Sequence, residues 1–239
     1  MLHRRLLFPL TLITLAGAAL RFYQLTVTPP GLHYDIAANA ILVEDIALRG
    51  YRPALGSAYT GKEVLFFYSA AALFRLIGSS IFALRATAAF WGVITIPITY
   101  FFLRQLLRHQ KHSIWLAAFG ATMLAFSFAH LPLSRFGLRA ITQPAIQALA
   151  VGILLRGLRT GRSRDFWIAG LLVGLSMHTY LSARALPLVL LVSGLPLLRA
   201  RSRTLTIQPL PSAGQMLGFV ISISLVIAPL AHHFWEHPE

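Results

Sequence analysis

ATAAFWGVITIPITYFFL, residues 86–103, is an unbroken uncharged run held between Arg85 and Arg104. Its 18 residues come close to the roughly 20 that a helix needs to cross a bilayer. Outward from it the same pattern recurs at residues 6–20, 114–134, 140–155, 166–183, 185–198 and 216–234. These runs predict an all-α integral membrane protein, a polytopic bundle of about seven transmembrane helices. Several runs fall short of a full span, and flanking arginines such as Arg21, Arg85 and Arg184 are expected to snorkel to the interface and extend them. The weakest run is 185–198, which could instead form a re-entrant hairpin with its neighbour. The first has the basic start and apolar core of a signal peptide, but Phe22-Tyr23-Gln24 lacks the small residues of a cleavage site, so it reads as an uncleaved first span.

Composition agrees. Hydrophobic residues make up 56% of the 239, charged residues 12%, and the mean hydropathy is +0.68. So few charges cannot cover a water-facing surface of ordinary polarity, which excludes soluble globular, disordered and fibrous classes. A net charge of +14 would suggest nucleic acid if the basic residues formed one patch, but they are dealt out in short clusters between apolar runs. No nucleic-acid partner is expected. The absence of cysteine excludes disulfides, thiolate metal sites and a cysteine nucleophile.

The clusters set the orientation. With the N-terminus cytoplasmic, 12 of the 21 basic residues fall inside, among them Arg104, Arg108, Lys111, Arg156, Arg159, Arg162, Arg164, Arg199, Arg201 and Arg203. The net is +11 inside and +3 outside, the positive-inside bias.

Residues 24–85 form the first external loop. Thr28-Pro29-Pro30-Gly31 stops the first helix. Asp35 then precedes a stretch in which Ile36, Ala40, Val43 and Ala47 recur at helical spacing, predicting an interfacial helix that Gly50 ends. Residues 56–61 read as a turn-rich strand or loop leading to Lys62-Glu63. The uncharged residues 64–74 are too few to span and are expected to lie in the interface with Phe66, Phe67 and Phe74 toward lipid. Four of the seven acids, Asp35, Glu44, Asp45 and Glu63, gather in this loop. Ionisable groups at a membrane edge are costly and point to function. Asp35 could equally be a helix N-cap, Glu44 and Asp45 a solvated helix face, and Lys62-Glu63 a surface ion pair.

Pro29-Pro30-Gly31-Leu32-His33-Tyr34-Asp35-Ile36, Leu48-Arg49-Gly50-Tyr51-Arg52-Pro53 and Gly61-Lys62-Glu63-Val64 together resemble the family 39 glycosyltransferases. That family includes protein O-mannosyltransferases and aminoarabinose transferases of the GT-C fold. The likeness continues through Leu133-Ser134-Arg135-Phe136-Gly137-Leu138-Arg139 and Thr179-Tyr180-Leu181-Ser182-Ala183-Arg184. It implies a single transmembrane domain over residues 1–239 that is the N-terminal portion of a longer enzyme, since relatives continue through further spans.

The resemblance implies a hexosyl or pentosyl transferase that moves sugar from a polyprenyl-phosphate donor to a hydroxyl on a protein, lipid or glycan acceptor. Inversion at the anomeric carbon and an external site in a bacterial plasma membrane are the matching expectations. In the family an Asp just after the first span acts as general base, the position of Asp35, and a later basic residue holds the lipid phosphate, the position of Lys62. This chain has Asp35-Ile36 where many relatives have Asp-Glu, and Lys62-Glu63-Val64 where many have Lys-Pro-Pro.

The chemistry is sensible on its own. Transfer needs a base for the acceptor proton and cations for the departing phosphate. Arg135 and Arg139, spaced one helical turn apart, could share that phosphate or anchor the interface. Tyr180 and Arg184 are either binding residues or an aromatic-belt residue with its anchoring arginine. His178, within a span, suits an interhelical hydrogen bond. His232, His233 and His237 match no defined ligand spacing, so no metal site is assigned, although some GT-C enzymes use a divalent ion. No dinucleotide or phosphate-loop glycine pattern occurs. The rival functions are a catalytically incomplete fragment or scaffold and a lipid-linked substrate transporter. Internal repeats and paired broken spans, which would favour the transporter, are not evident.

Overall fold

The computed structural model describes residues 2–56, 61–199 and 211–236. Among them helices dominate: α1 (Leu2–Phe22), α2 (Tyr34–Leu48), α3 (Leu65–Ile77), α4 (Ile81–Leu106), α5 (Ser113–Ala125), α6 (His130–Leu133), α7 (Thr142–Thr160), α8 (Ser163–Ser176), α9 (Leu186–Arg199) and α10 (Ala213–Glu236). Short 3-10 turns occupy Arg139–Ile141 and Leu181–Ala185, and two-residue strands β1 (Leu55–Gly56) and β2 (Lys62–Glu63) pair antiparallel. Most of the loop read at residues 56–61 lies outside the described residues, as do Arg201, Arg203 and His237.

Local chemistry sets several boundaries. The Ser80 hydroxyl accepts the Ala83 N–H at 3.1 Å and caps α4. Gly161, with φ +64°, closes α7 in the left-handed conformation.

The chain is thus an all-α membrane protein, with a finer division than seven clean spans. Ile81–Leu106, Arg139–Thr160 and Ala213–Glu236 are long and apolar enough to cross a membrane, and Phe8–Phe22, Leu65–Ile77, Ser113–Ala125 and Leu181–Gly194 are shorter apolar helical stretches. The expected span at 114–134 breaks after Ala125, and its 13-residue first part, α5, rises only about 20 Å. The run at 166–183 likewise stops being α-helical at Ser176.

Two expectations about surfaces are corrected. Phe66, Phe67 and Phe74 do not face lipid; they are buried in a core formed by α2, α3, the start of α4 and Ile141. Lipid and protein interior are equally apolar, so periodicity finds the face without saying what covers it. Nor do Arg21 and Arg85 snorkel outward. Arg21 is wholly buried, giving hydrogen bonds to the carbonyls of Gly17 (2.9 Å) and Ala125 (3.0 Å) and meeting His130 Nδ1 at 2.9 Å. Arg85 is buried too, and donates to the carbonyls of Leu25, Pro29 and Gly31 at 3.0 to 3.1 Å. In low dielectric the terminal nitrogens of a guanidinium close several free carbonyls at once, although the buried Nε of Arg21 and of Arg85 has no partner among the described residues.

The closest helix packing joins α8 to α10. A Cβ on Gly170 would collide with the Phe219 carbonyl oxygen and come within 2.8 Å of Ser222 Cβ; one on Gly174 would lie 2.8 Å from Val226 Cβ. Four residues apart, these glycines share one face and let the two backbones approach, as small residues do where helices pack in lipid. His178, just past α8, adds a 3.0 Å bond to the Val226 carbonyl. Gly170→Val should therefore destabilise the detergent-solubilised protein by about 1 to 3 kcal/mol, because the clash is with backbone. Gly194, with nothing within 4 Å of an added Cβ, tolerates alanine. Equal melting temperatures for Gly170→Val and Gly194→Ala would contradict this packing.

Candidate functional site

The site is built where β2 passes between the start of α2 and the start of α7. Leu55 pairs with Glu63 and Gly56 with Lys62. Successive strand residues point to opposite faces, and Lys62 and Glu63 accordingly take different partners. The surface ion pair considered for these neighbours is not formed.

Lys62 is buried, and its Nζ donates to Asn39 Oδ1 at 3.0 Å. Asn39 in turn donates from Nδ2 to the Gly137 carbonyl at 3.3 Å. Burial lowers the Lys62 pKa below the ordinary 10.5; the positive charge of Arg139 adds to the shift, and Asp35 opposes it. Glu63 is 1% exposed. Its Oε2 accepts from Arg139 Nε at 3.1 Å, and its Oε1 accepts from an Arg184 terminal nitrogen at 3.4 Å. One buried carboxylate thereby joins segments 76 and 121 residues away in the chain. Arg139 also lies over the Tyr180 ring, 5.1 Å from its centroid, and Arg184 over Phe234 at 5.4 Å. These contacts fix both guanidinium planes. Arg184 remains 37% exposed, so the positive cluster opens to its surroundings.

Asp35 stands in the first turn of α2 and is not its cap. His33 is the N-cap, its Nδ1 accepting the Asp35 backbone N–H at 3.3 Å. Asp35 Oδ2 lies 3.7 Å from the same Nδ1, an ion pair only when that nitrogen is protonated, and a protonated nitrogen cannot accept the N–H. The Asp35 carboxylate is 59% exposed and available to a ligand.

Lys62, Arg139, Tyr180 and Arg184 are brought together, and Asp35 is within electrostatic reach of Lys62. Arg135 is not part of the group. Between it and Arg139 the chain leaves α6, turns through Gly137 at φ +79° and re-enters as a 3-10 turn, so the two are not one helical turn apart. The Arg135 guanidinium donates to the carbonyls of Leu20, Arg21, Tyr23 and Thr28 and ties down the end of α1.

Sequence reasoning missed Asn39 and His33 as working parts, and it flagged Glu63 among the costly loop acids without finding its partners. Asn39 carried a signal, an amide three residues after Ile36 and four before Val43 on the buried stripe, where it must find partners. Glu63 carried the signal of a costly membrane-edge acid, but one sequence does not reveal its partners, which are distant in the chain. Among the described residues no group of three or more His, Asp or Glu is arranged to hold a metal ion. His232 sits 3.6 Å from Glu236.

Residues 62–228 match the family model described as dolichyl-phosphate-mannose-protein mannosyltransferase. The matched stretch contains Lys62, Glu63, Arg139, Tyr180 and Arg184 and begins after Asp35. Comparison with curated proteins and with solved structures finds no significant match.

Glu63→Gln removes the charge that compensates two arginines. Breaking a buried pair costs about 3 to 5 kcal/mol. Because both arginines partly reach solvent, a loss of about 1 to 3 kcal/mol is expected here, with Glu44→Gln on the outer face of α2 within about 0.5 kcal/mol of wild type. Thermal unfolding in detergent reads both, and equal stability of the two variants would show that Glu63 does not organise the cluster.

Proposed function

The chain belongs to the dolichyl-phosphate-mannose-protein mannosyltransferase family and is a membrane glycosyltransferase, and on that premise we propose that it moves a sugar from a polyprenyl-phosphate donor to an acceptor hydroxyl on the extracytoplasmic side, with inversion. The observation that carries this reading is the convergence of Arg139 and Arg184 on the buried Glu63, with Lys62 within electrostatic reach of Arg139 and the exposed carboxylate of Asp35 within electrostatic reach of Lys62.

Asp35 takes the proton of the acceptor hydroxyl as its oxygen attacks the anomeric carbon. The bond from that carbon to the phosphate oxygen breaks, its electron pair stays on the phosphate, and attack from the opposite face inverts the centre. A phosphodiester with one negative charge becomes a lipid phosphate approaching two. Three cations and one buried carboxylate leave the cluster at +2, which matches the charge that develops. Donors fixed before the reaction stabilise that charge without reorganising. Glu63 acts as a positioning residue: it takes only the Nε–H of Arg139 and leaves its terminal nitrogens for a two-pronged contact with phosphate. Arg135 and Arg85 support the site from behind by holding residues 20–31, the segment that delivers Asp35. The domain organisation proposed is one transmembrane unit with its site on residues 24–85, and the charge bias across the spans supports placing that loop outside.

Asp35→Asn tests the base. His33 holds the backbone cap, so stability should stay within about 0.5 kcal/mol of wild type, while turnover of a lipid-linked sugar should fall roughly 10² to 10⁴-fold, or about 2.7 to 5.5 kcal/mol of barrier. Near-normal turnover would end the assignment of Asp35.

The depressed Lys62 pKa predicts a pH effect with a definite sign. The protonated amine binds phosphate, so donor affinity should weaken as pH rises through a value below 10.5, earlier than for an ordinary lysine. The same depression means that the charged form opposes folding below the folded pKa, and this penalty is relieved as pH rises toward 10.5. Lys62→Arg keeps its charge and should abolish the alkaline loss of donor binding. An identical alkaline loss in that variant would remove Lys62 from the phosphate site.

A further inference from the structure

The far end of the bundle carries a second cationic cluster. α7 starts beside Arg139 and runs for 19 residues, about 28 Å, which is close to one hydrocarbon thickness. Its last turns hold Arg156 and Arg159; the neighbouring end of α4 holds Arg104, with Arg108 just beyond. The four guanidinium groups have different fates. Arg156 is committed to the fully buried Asp165, which accepts from its Nε at 3.0 Å and from a terminal nitrogen at 2.8 Å. Arg104 and Arg159 make their side-chain bonds to neutral groups, Ser113 Oγ at 2.8 Å and Gln105 Oε1 at 2.6 Å. Among the described residues neither these two nor Arg108 is paired with a carboxylate. Arg159 lies within Coulomb reach of Arg104, Arg108 and Arg156 and of the opposing charge of Asp165, which Arg156 already binds, so four cations share one carboxylate.

Orientation in the membrane requires arginines on one side of it; it does not require Arg104 and Arg159, both half-buried, to converge from two helices with the exposed Arg108 within Coulomb reach. Each neutral partner engages a single terminal nitrogen, which leaves N–H groups for a two-pronged contact with phosphate. The same segments carry exposed apolar side chains, Leu106 beside Gln105, and Trp115 and Leu116 just after Ser113. Charge at headgroup depth with apolar surface alongside suits one occupant. We propose that Arg104, Arg108 and Arg159 form a binding site for the phosphate of an anionic phospholipid in the leaflet opposite the glycosyl-transfer site. This proposal does not depend on the role given to Asp35 or Lys62.

The test uses the purified chain in detergent, with phosphatidylglycerol, phosphatidylethanolamine or inorganic phosphate added, lipid retention read by native mass spectrometry and melting temperature read in parallel. Phosphatidylglycerol should be retained and raise the melting temperature; phosphatidylethanolamine should do neither. Removing two cations, Arg104→Gln with Arg159→Gln, should weaken phosphatidylglycerol binding about tenfold or more. Arg108→Gln, at an exposed position with no side-chain bond among the described residues, should weaken it several-fold and decides the matter if the double variant does not fold. A control pair that removes two exposed cations from the segment 24–85, Arg49→Gln with Arg52→Gln, should bind as wild type does. Equal loss in the control would reduce the effect to bulk charge and overturn the site. Inorganic phosphate binding as tightly as the lipid would overturn the lipid as its occupant.

Discussion

A carboxylate removed from water must be neutralised where it stands, and Glu63 meets that demand with two arginines from distant parts of the chain. The desolvation cost of one such ion is several kcal/mol, and opposed charges with good hydrogen-bond geometry repay it. The consequence is architectural. Glu63 fixes β2 to the start of α7 through Arg139 and to the turn after α8 through Arg184, while Lys62 on the other face reaches α2 through Asn39. Four segments meet at a two-residue strand. Their excess of positive charge results from the same pairing, since one acid serves two arginines and the adjoining lysine has only an amide.

The same economy of charge recurs elsewhere with carbonyls in place of acids. Arg21, Arg85 and Arg135 have no carboxylate partner among the described residues and are bound largely by backbone oxygen. The end of a helix leaves carbonyls without partners, and in an apolar setting no water is at hand to satisfy them. Arginine, with five donors in a rigid fork, can close several at once. Residues 20–31 are held in this way, and Asp35 is delivered to the cluster at a fixed place although it is itself exposed. Arginines that look topogenic in a one-dimensional reading therefore do three different things: they anchor backbone, they pair with buried acid, and at the far end of α4 and α7 they outnumber the one buried carboxylate among them, Asp165.

Hydropathy was enough to identify the membrane class, α4, α7 and α10, because an uncharged run flanked by arginines has few other interpretations. It could not locate the break after Ala125, since the residues at 126–129 are as uncharged as a span. The buried stripe of α3 was legible as a helix face and misread as a lipid face because its phenylalanines suit both surroundings. At the site, Lys62, Arg139, Tyr180 and Arg184 were legible one by one as costly or membrane-edge groups. Their assembly was not, because it rests on Glu63, whose neighbour Lys62 offered a local partner that strand alternation denies it. Arg135 shows the reverse error: its spacing from Arg139 looked helical, and the turn at Gly137 separates them.

The central claim is that the cluster around Glu63 receives the phosphate and sugar of a lipid-linked donor. The most direct measurement is photo-crosslinking with a polyprenyl-phosphate sugar that carries a diazirine on the sugar ring, followed by peptide mapping. The account predicts labelling concentrated on the peptides that contain Asp35 to Asn39, Lys62 and Tyr180 to Arg184, suppressed by unmodified donor. Labelling confined to α9 or to the far ends of α4 and α7, with none at these peptides, would contradict it.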